Sequence, residues 1–284
     1  MMRGSLSAEL LKLRKRPTTW VLLGVSLVLT ELFAYFLPYT SYVTGDQNQQ
    51  TQGVAPQQVL AGILPDQLVT NSIGGFPVFA GALALIFGAL AAGSEYGWGT
   101  LKATLTQRPS RLRLYGGKLL ALATMVLAAV LTIFATGALT SGVIATIESR
   151  PLDYPGPLDL ARGIASGWLI LAMWCLFGAL LGFAFRSVAL PVGLGVVWVL
   201  GVENLISSVA ESLLTGLQPL RDLLPAANAG SLVWALAPGG GADGEAPPGV
   251  IDAVTGTQAT VALALYVAVF VVAGALLLRR RDVT

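Results

Sequence analysis

Polar side chains inside long apolar runs are the residues of this chain most able to do chemistry. Glu31 lies in the apolar run 19–37, and Glu203 and Asn204 lie in the run 188–207. A carboxylate at the centre of a bilayer costs roughly 2.5 to 3.5 kcal/mol on insertion scales, so both acids should face protein or a wet cavity. They could line the path of a cationic or amphipathic substrate. Alternatively, each acid could be protonated and hydrogen-bonded between helices.

The residue inventory excludes the commonest catalytic sites. The chain has no histidine, which removes Ser-His-Asp triads and His-Glu-x-x-His zinc sites. Lys118 follows Gly117, but Leu112 and Leu119 occupy the positions where a P-loop needs a glycine and a hydroxyl residue. We therefore expect no catalytic residue, no metal and no cofactor. A single cysteine, Cys175, excludes an intrachain disulfide.

The polar segment between the second and third apolar runs carries another candidate site. It contains Glu95 and five of the 17 basic residues, and helical spacing places Trp98, Leu101 and Leu105 on one apolar stripe. Such a stripe on a short exposed helix needs a groove to occupy, which predicts the docking of a soluble partner. The alternative is an ordinary basic loop that only marks the cytoplasmic side.

Membrane-spanning helices must position all of these residues. Hydrophobic residues make up 55% of the chain and charged residues 11%, against roughly 25% charged in soluble domains. We predict an all-α integral membrane protein, a single domain of residues 1–284 with six transmembrane helices. The runs long enough to span are 19–37, 73–93, 119–143, 163–185, 188–207 and 259–278.

The distribution of basic residues places both termini in the cytoplasm. With that orientation, 14 of the 17 lysines and arginines flank the spans on the inner side. Residues 1–18 are predicted to form a cytoplasmic interfacial helix, because Leu6, Leu10 and Leu13 share one face. Residues 94–118 are predicted to form a cytoplasmic coupling segment.

Two long segments are predicted on the outer side. The first, 40–72, has no basic residue, and we expect it to have little to pack with and to be mobile at its centre. The second, 208–258, is too apolar for an open loop, but Pro219 and Pro225 interrupt it. Short re-entrant or interfacial helices before the last span are therefore predicted.

Small residues at helix-packing spacing occur in the second and fourth runs. They allow two helices to approach closely. Packing within the chain is the favoured interpretation, and a dimer seam is the alternative. The residues are Gly81, Gly88, Ala92, Gly178 and Gly182.

Several short motifs occur in order along the six-run layout. They are Ala8-Glu-Leu-Leu-Lys-Leu-Arg14, Glu95-x-x-x-Gly99-Thr100-Leu101, Arg108-Pro109 with Lys118, Phe185-Arg186-Ser187, and Leu224-Pro225-Ala-Ala-Asn228-Ala. Their order over nearly the whole chain resembles that of the permeases of type-two ABC exporters. The resemblance is greatest to the bacterial antibiotic-export and bacitracin-resistance-like group.

This resemblance implies a half-transporter in the bacterial inner membrane. A second permease half, identical or paralogous, would complete the substrate path within the lipid bilayer, and a separate ABC ATPase subunit would bind ATP and Mg. The segment from Glu95 to Arg108 would be the coupling helix that sits in a groove of that ATPase. Many relatives carry a basic residue before the Gly-Thr pair, whereas Gly97 and Trp98 stand there in this chain. The implied contacts are Glu95, Trp98, Gly99, Thr100, Leu101, Leu105 and Arg108.

We therefore predict the transmembrane subunit of an ATP-driven exporter, with no nucleic-acid partner. Its substrate is expected to be an amphipathic or hydrophobic compound such as an antibiotic, a peptide or a lipid. The alternative is a secondary transporter or channel, which paired broken spans in inverted halves or basic residues inside the membrane would favour. An intramembrane enzyme would need a nucleophile or metal constellation that the residue inventory does not supply.

Overall fold

The computed structural model describes residues 2–46, 51–97, 111–212, 216, 218–237 and 247–280. Every regular element among these residues is helical, and none of the described residues forms a strand. Six helical stretches are long and apolar enough to cross a membrane. The predicted all-α architecture with six spanning helices is confirmed.

The six spans, numbered in chain order, extend beyond the predicted apolar runs at most of their ends. Residues 94–96 and 112–118, which belong to the predicted coupling segment, continue the helices of spans 2 and 3. The segment between the two helices is therefore shorter than the apolar runs indicate. The spans are Pro17–Thr44, Pro65–Tyr96, Leu112–Ile147, Pro157–Phe185, Ala189–Ser207 and Gly256–Arg279.

Local sequence sets several of the helix ends. Pro17 and Pro157 stand in the first turns of spans 1 and 4, where a missing N–H leaves no hydrogen bond unmade. Arg186 ends span 4 with a φ of 50°, in the left-handed region. The turn after it packs against Gly93 of span 2, where an added Cβ would collide with the Ser187 carbonyl oxygen.

Spans 2 and 4 form the packed centre of the bundle. Of their most apolar windows, 67% and 56% are buried inside the chain, against 6% to 33% for the other four spans. Glycines make this packing possible: an added Cβ would overlap the Cys175 carbonyl at Gly88 and the Leu85 carbonyl at Gly178. Gly182 meets the same face of span 2. The small residues thus serve packing within the chain, as the sequence favoured.

Spans 1, 2 and 5 each contain a π-helical turn. These turns are Leu32–Phe36, Phe76–Ala80 and Val197–Val202. Glu31 directly precedes the first turn, and Glu203 directly follows the third. A π-helical turn inserts a residue into the α-helical ladder and is frequent at functional sites. Both membrane acids therefore adjoin a local change in helical geometry.

The bundle has two ends, which we call the terminal side and the loop side. The terminal side carries the N-terminal helix Met2–Lys15 and the end of span 6. The loop side carries the chain between spans 1 and 2, 3 and 4, and 5 and 6.

The first loop-side segment packs more than expected. Val59, Leu60 and Ile63 are buried, and Leu60 and Ile63 pack in one apolar cluster with Tyr35. The expectation that segment 40–72 has little to pack with is therefore wrong, because its apolar residues recur at helical spacing. Residues 47–50, in the predicted mobile centre, lie outside the described residues. The helices are Pro56–Ala61, Pro65–Gln67 and Leu68–Ile73.

The second loop-side segment contains the helices Gln218–Leu223 and Pro225–Trp234. The latter is buried along most of its length and contacts span 6 and the π-helical turn of span 2. Two short helices therefore precede span 6, and their predicted re-entrant or interfacial position stays a prediction. Residues 238–246 lie outside the described residues.

Candidate functional site

The N-terminal helix lies against the terminal-side ends of spans 2 and 3. Its apolar face packs on the protein core, and Leu13 is 4% exposed. Gly117 of span 3 permits the close approach, because an added Cβ there would collide with Ser5. Glu9 and Lys12, three residues apart on this helix, form an ion pair and both reach charged groups of the spans. The predicted interfacial helix is therefore a packed part of the bundle.

Four charged side chains meet at this contact, and we call them the charge cluster: Glu9, Lys12, Glu95 and Lys118. The Lys118 ammonium lies 2.8 Å from Glu95 Oε1 and 3.1 Å from Glu9 Oε2. It also donates to the Ala91 carbonyl oxygen at 3.1 Å. Lys12 Nζ donates to Glu95 Oε1 at 2.8 Å and pairs with Glu9 Oε1. Two positive and two negative groups leave the cluster without net formal charge.

Three members of the charge cluster are buried. Glu9, Glu95 and Lys118 are 7%, 6% and 6% exposed. All three N–H donors of the Lys118 ammonium can be matched to its three oxygen neighbours. Removing one partner from a buried ion pair typically costs about 3–5 kcal/mol, because it leaves an uncompensated charge.

Lys12 is the most exposed member, with 42% of its side chain accessible. Partial burial disfavours the charged ammonium and would lower its pKa. The Glu95 and Glu9 carboxylates outweigh this effect and raise the pKa of Lys12 above its ordinary value. Lys12 therefore remains charged throughout the neutral pH range.

The charge cluster lies where the segment that joins spans 2 and 3 meets the ends of these two helices. Glu95 lies in the last turn of the helix Gly81–Gly97, and Lys118 lies about two turns into the helix Arg111–Ile147. Their ion pair holds the two ends of the predicted coupling segment together. The predicted contact residues Trp98, Gly99, Thr100, Leu101, Leu105 and Arg108 lie outside the described residues.

Glu31, predicted on the substrate path, contacts span 3. Its Oε2 accepts a hydrogen bond from the Thr140 hydroxyl at 2.8 Å. Its Oε1 is buried and has no hydrogen-bond partner. Tyr35, one turn later in span 1, is 1% exposed, and its hydroxyl lies near the side chains of Asn71 and Ser141.

Glu203 and Asn204 contact a different part of the molecule. Glu203 is 1% exposed, and its Oε2 accepts a hydrogen bond at 2.6 Å from the Ala226 N–H in the first turn of helix Pro225–Trp234. A carboxylate at this position satisfies a free N–H and complements the helix dipole. The Asn204 amide donates to the carbonyl of Val199, in the π-helical turn of span 5, at 3.0 Å. Glu31 and Glu203 thus bond to separate elements.

Comparison with known families decides what kind of protein carries these features. The sequence model of the family described as ABC-2 family transporter protein matches residues 5–283. The chain belongs to this ABC-2 family. The match includes all six spans and the charge cluster, so this ABC-2 transporter is a type-two ABC permease and a multi-pass membrane protein. Membership in the family implies an ABC ATPase as a partner.

The permease resemblance is confirmed for the family as a whole. A comparison of this ABC-2 transporter with curated proteins finds none that matches. The predicted bacitracin-export-like subgroup stays a prediction.

Sequence reasoning found Glu95 in this ABC-2 transporter but missed the three other members of its charge cluster. Glu9 and Lys118 stand in the quoted motifs, yet their contact joins residues 109 positions apart. A usable signal was present: Glu9 and Lys12 form an i, i+3 pair, and opposite charges stand at both ends of one polar segment.

Proposed function

We propose that this ABC-2 transporter is the non-catalytic membrane subunit of an ATP-driven exporter in a bacterial inner membrane. A separate ABC ATPase would bind ATP and Mg and engage the coupling segment from Glu95 to Arg108. The observation that carries this proposal is the charge cluster at the base of that segment. It ties the segment to two spans and to the N-terminal helix.

The charge cluster is suited to transmitting movement. Displacing the coupling segment would act on Glu95 and Lys118, and through them on Glu9 and Lys12 of the N-terminal helix. Three buried, mutually paired groups resist separation, since each one lost leaves another charge unpaired. Spans 2 and 3 would therefore move with the N-terminal helix as one unit when the ATPase changes state.

The apolar outer faces favour assembly in the membrane. Large apolar side chains of spans 1 and 5 are exposed on the single chain, including Val28 and Val197. Lipid contact accounts for such faces, and a second permease half, identical or paralogous, would cover part of them. The substrate path would form between the two halves.

The substrate class follows from the few polar groups available to a path through apolar spans. An amphipathic or hydrophobic compound, such as an antibiotic, a peptide or a lipid, suits such a path. Glu31 keeps an unpartnered oxygen and is the stronger candidate for contact with a cationic group. Glu203 and Asn204 stay candidates, although each also makes structural hydrogen bonds.

Changing Leu101 to Asp tests the coupling role. A charge on the predicted apolar stripe should weaken docking in the ATPase groove, since burying an unpaired carboxylate is costly. The tagged variant should insert in the membrane normally but recover much less ATPase subunit on co-purification from the native host. Gln107→Asp, on the opposite face of the same predicted helix, is the matched control.

Two outcomes contradict the proposal. Wild-type protein that co-purifies with no P-loop ATPase would favour an ATP-independent transporter or channel. If Leu101→Asp and Gln107→Asp retain equal amounts of ATPase, the stripe is not the docking surface.

A further inference from the structure

We propose that the N-terminal helix Met2–Lys15 binds phospholipids with anionic headgroups through the face that it turns away from the bundle. We call this the outer face, and it lies opposite Glu9 of the charge cluster. Its residues fall at the spacing of one helical face, and all of them are exposed. They are Gly4, Ser7, Ala8, Leu11, Arg14 and Lys15.

The outer face carries positive charge without an acidic residue. Glu9 is the only acid in the sequence before Glu31, and its two carboxylate oxygens pair inward with Lys12 and Lys118. Within the described part of the chain, the side chains of Arg14 and Lys15 form no ion pair. Two positive groups at the end of the helix therefore remain available to an anion.

The start of span 1 fixes where these two charges lie. Arg16 has an extended backbone conformation and separates the N-terminal helix from Pro17, the first residue of span 1. Trp20, in the first turn of span 1, donates its indole N–H to the Arg14 carbonyl oxygen at 2.8 Å. Tryptophan at the end of a span sits at the level of the lipid headgroups. Arg14 and Lys15 consequently lie at headgroup depth.

The apolar side chains beside these charges favour lipid over a soluble partner. Leu11 on the outer face is 54% exposed, and Trp20 and Val21 at the start of span 1 are 53% and 61% exposed. The outer face is thus continuous with an apolar surface that belongs to a membrane span. Basic residues next to exposed leucine and tryptophan are typical of helices that lie at the boundary between headgroups and acyl chains.

The two basic side chains suit the phosphate group of a lipid. An arginine guanidinium can donate to two phosphate oxygens at once, and a lysine ammonium adds a second positive charge. A headgroup with a net negative charge is attracted to both, whereas a zwitterionic headgroup carries its own cation and gains less. Binding should therefore discriminate between lipids by headgroup charge.

Native mass spectrometry of the full-length protein, purified with any subunit that accompanies it and titrated with lipid, tests the proposal. Wild-type protein should bind phosphatidylglycerol more tightly than phosphatidylcholine. Arg14→Gln combined with Lys15→Gln should weaken phosphatidylglycerol binding by about 30-fold, because each basic residue at an anionic surface contributes about 1 kcal/mol, or about fivefold. Arg150→Gln combined with Arg162→Gln is the matched control, since it makes the same change in net charge at exposed positions on the loop side. The control should keep the wild-type affinity.

An exchange variant separates charge from side-chain identity. Arg14→Lys combined with Lys15→Arg keeps both charges and should bind phosphatidylglycerol within a fewfold of wild type. All these side chains are exposed, so the thermal midpoints without added lipid should equal that of wild type. Equal wild-type affinity for the two lipids would overturn the proposal.

Equal phosphatidylglycerol affinity for the two charge-removing double variants would also overturn the proposal. If the variant at Arg14 and Lys15 kept its lipid affinity but co-purified with less ATPase, the outer face would belong to the ATPase contact instead. Leu101→Asp protein keeps both charges of the outer face and should bind phosphatidylglycerol as wild type does. This test and that of the proposed function therefore fail separately.

Discussion

The charge cluster and the Glu31 carboxylate differ in how completely their polar groups are paired. In the charge cluster, both oxygens of Glu9 and the ammonium of Lys118 have partners within 3.1 Å. At Glu31, Oε2 accepts a hydrogen bond from the Thr140 hydroxyl, while Oε1 is buried without a partner. A saturated buried network holds its elements in one arrangement, while an unsaturated one retains the capacity to bind. The first is therefore suited to transmission and the second to a ligand.

The largest expected effect comes from breaking the saturated cluster. Lys118→Met leaves Glu9 and Glu95 buried with only the half-exposed Lys12 to compensate them, and should destabilise the protein by about 3–5 kcal/mol. The thermal unfolding midpoint of the purified protein, and its folded yield, measure this loss. Arg162→Gln is the control, since its pair with Asp159 is exposed, with accessible fractions of 61% and 64%. Equal midpoints for the two variants would contradict a structural role for the cluster.

A second pair of variants, with smaller expected losses of stability, compares the two sites directly. Glu9→Gln removes charge-assisted contacts with Lys12 and Lys118, which should cost about 1–3 kcal/mol. Glu31→Gln still accepts a hydrogen bond from Thr140 and should cost less than about 1 kcal/mol. Thermal unfolding midpoints of the two purified variants give the order. If Glu31→Gln proves the more destabilising change, the contrast between the sites fails.

The smallest expected effect concerns Lys12. Its pKa is raised in the folded state, so its contribution to stability is fully present below the unfolded pKa and is lost only as the pH rises through the folded value. The midpoint difference between wild type and Lys12→Gln should therefore stay constant from about pH 6 to about pH 9. Because 42% of the side chain is accessible, that difference should stay below about 1 kcal/mol. A difference that disappears within this pH range would show that Lys12 is not held by the carboxylates.

The spans could be predicted because hydrophobic length is a local property. Each of the six apolar runs lies in one of the six spans, apart from Val188 at the start of the fifth run. The helices continue into polar flanks such as 112–118, where packing rather than hydropathy decides the end. The residues 56–73 were harder to predict, since their helices are short and bury side chains against Tyr35 of another element. Such burial cannot be read from the segment itself.

The candidate sites were predictable only in part. Glu31 and Glu203 stood out because an acid inside an apolar run is expensive, but nothing local identified Thr140 or Ala226 as partners. Glu95 was expected to face a separate subunit, and the structure shows it at 6% exposure among Lys12 and Lys118. The Lys12 contact joins residues 83 positions apart. Sequence spacing alone does not encode such a distance.

The glycine contacts between spans 2 and 4 have a mechanical consequence. At Gly88 and Gly178 the backbones touch without an intervening side chain, so the two helices have little freedom to slide or separate. We expect the two helices to move as one rigid unit when either of them is displaced. Span 4 should therefore follow any movement of span 2, while the peripheral helices, which are less buried, can shift relative to this pair. Valine at either glycine would push spans 2 and 4 apart and should therefore uncouple the movement of one from that of the other.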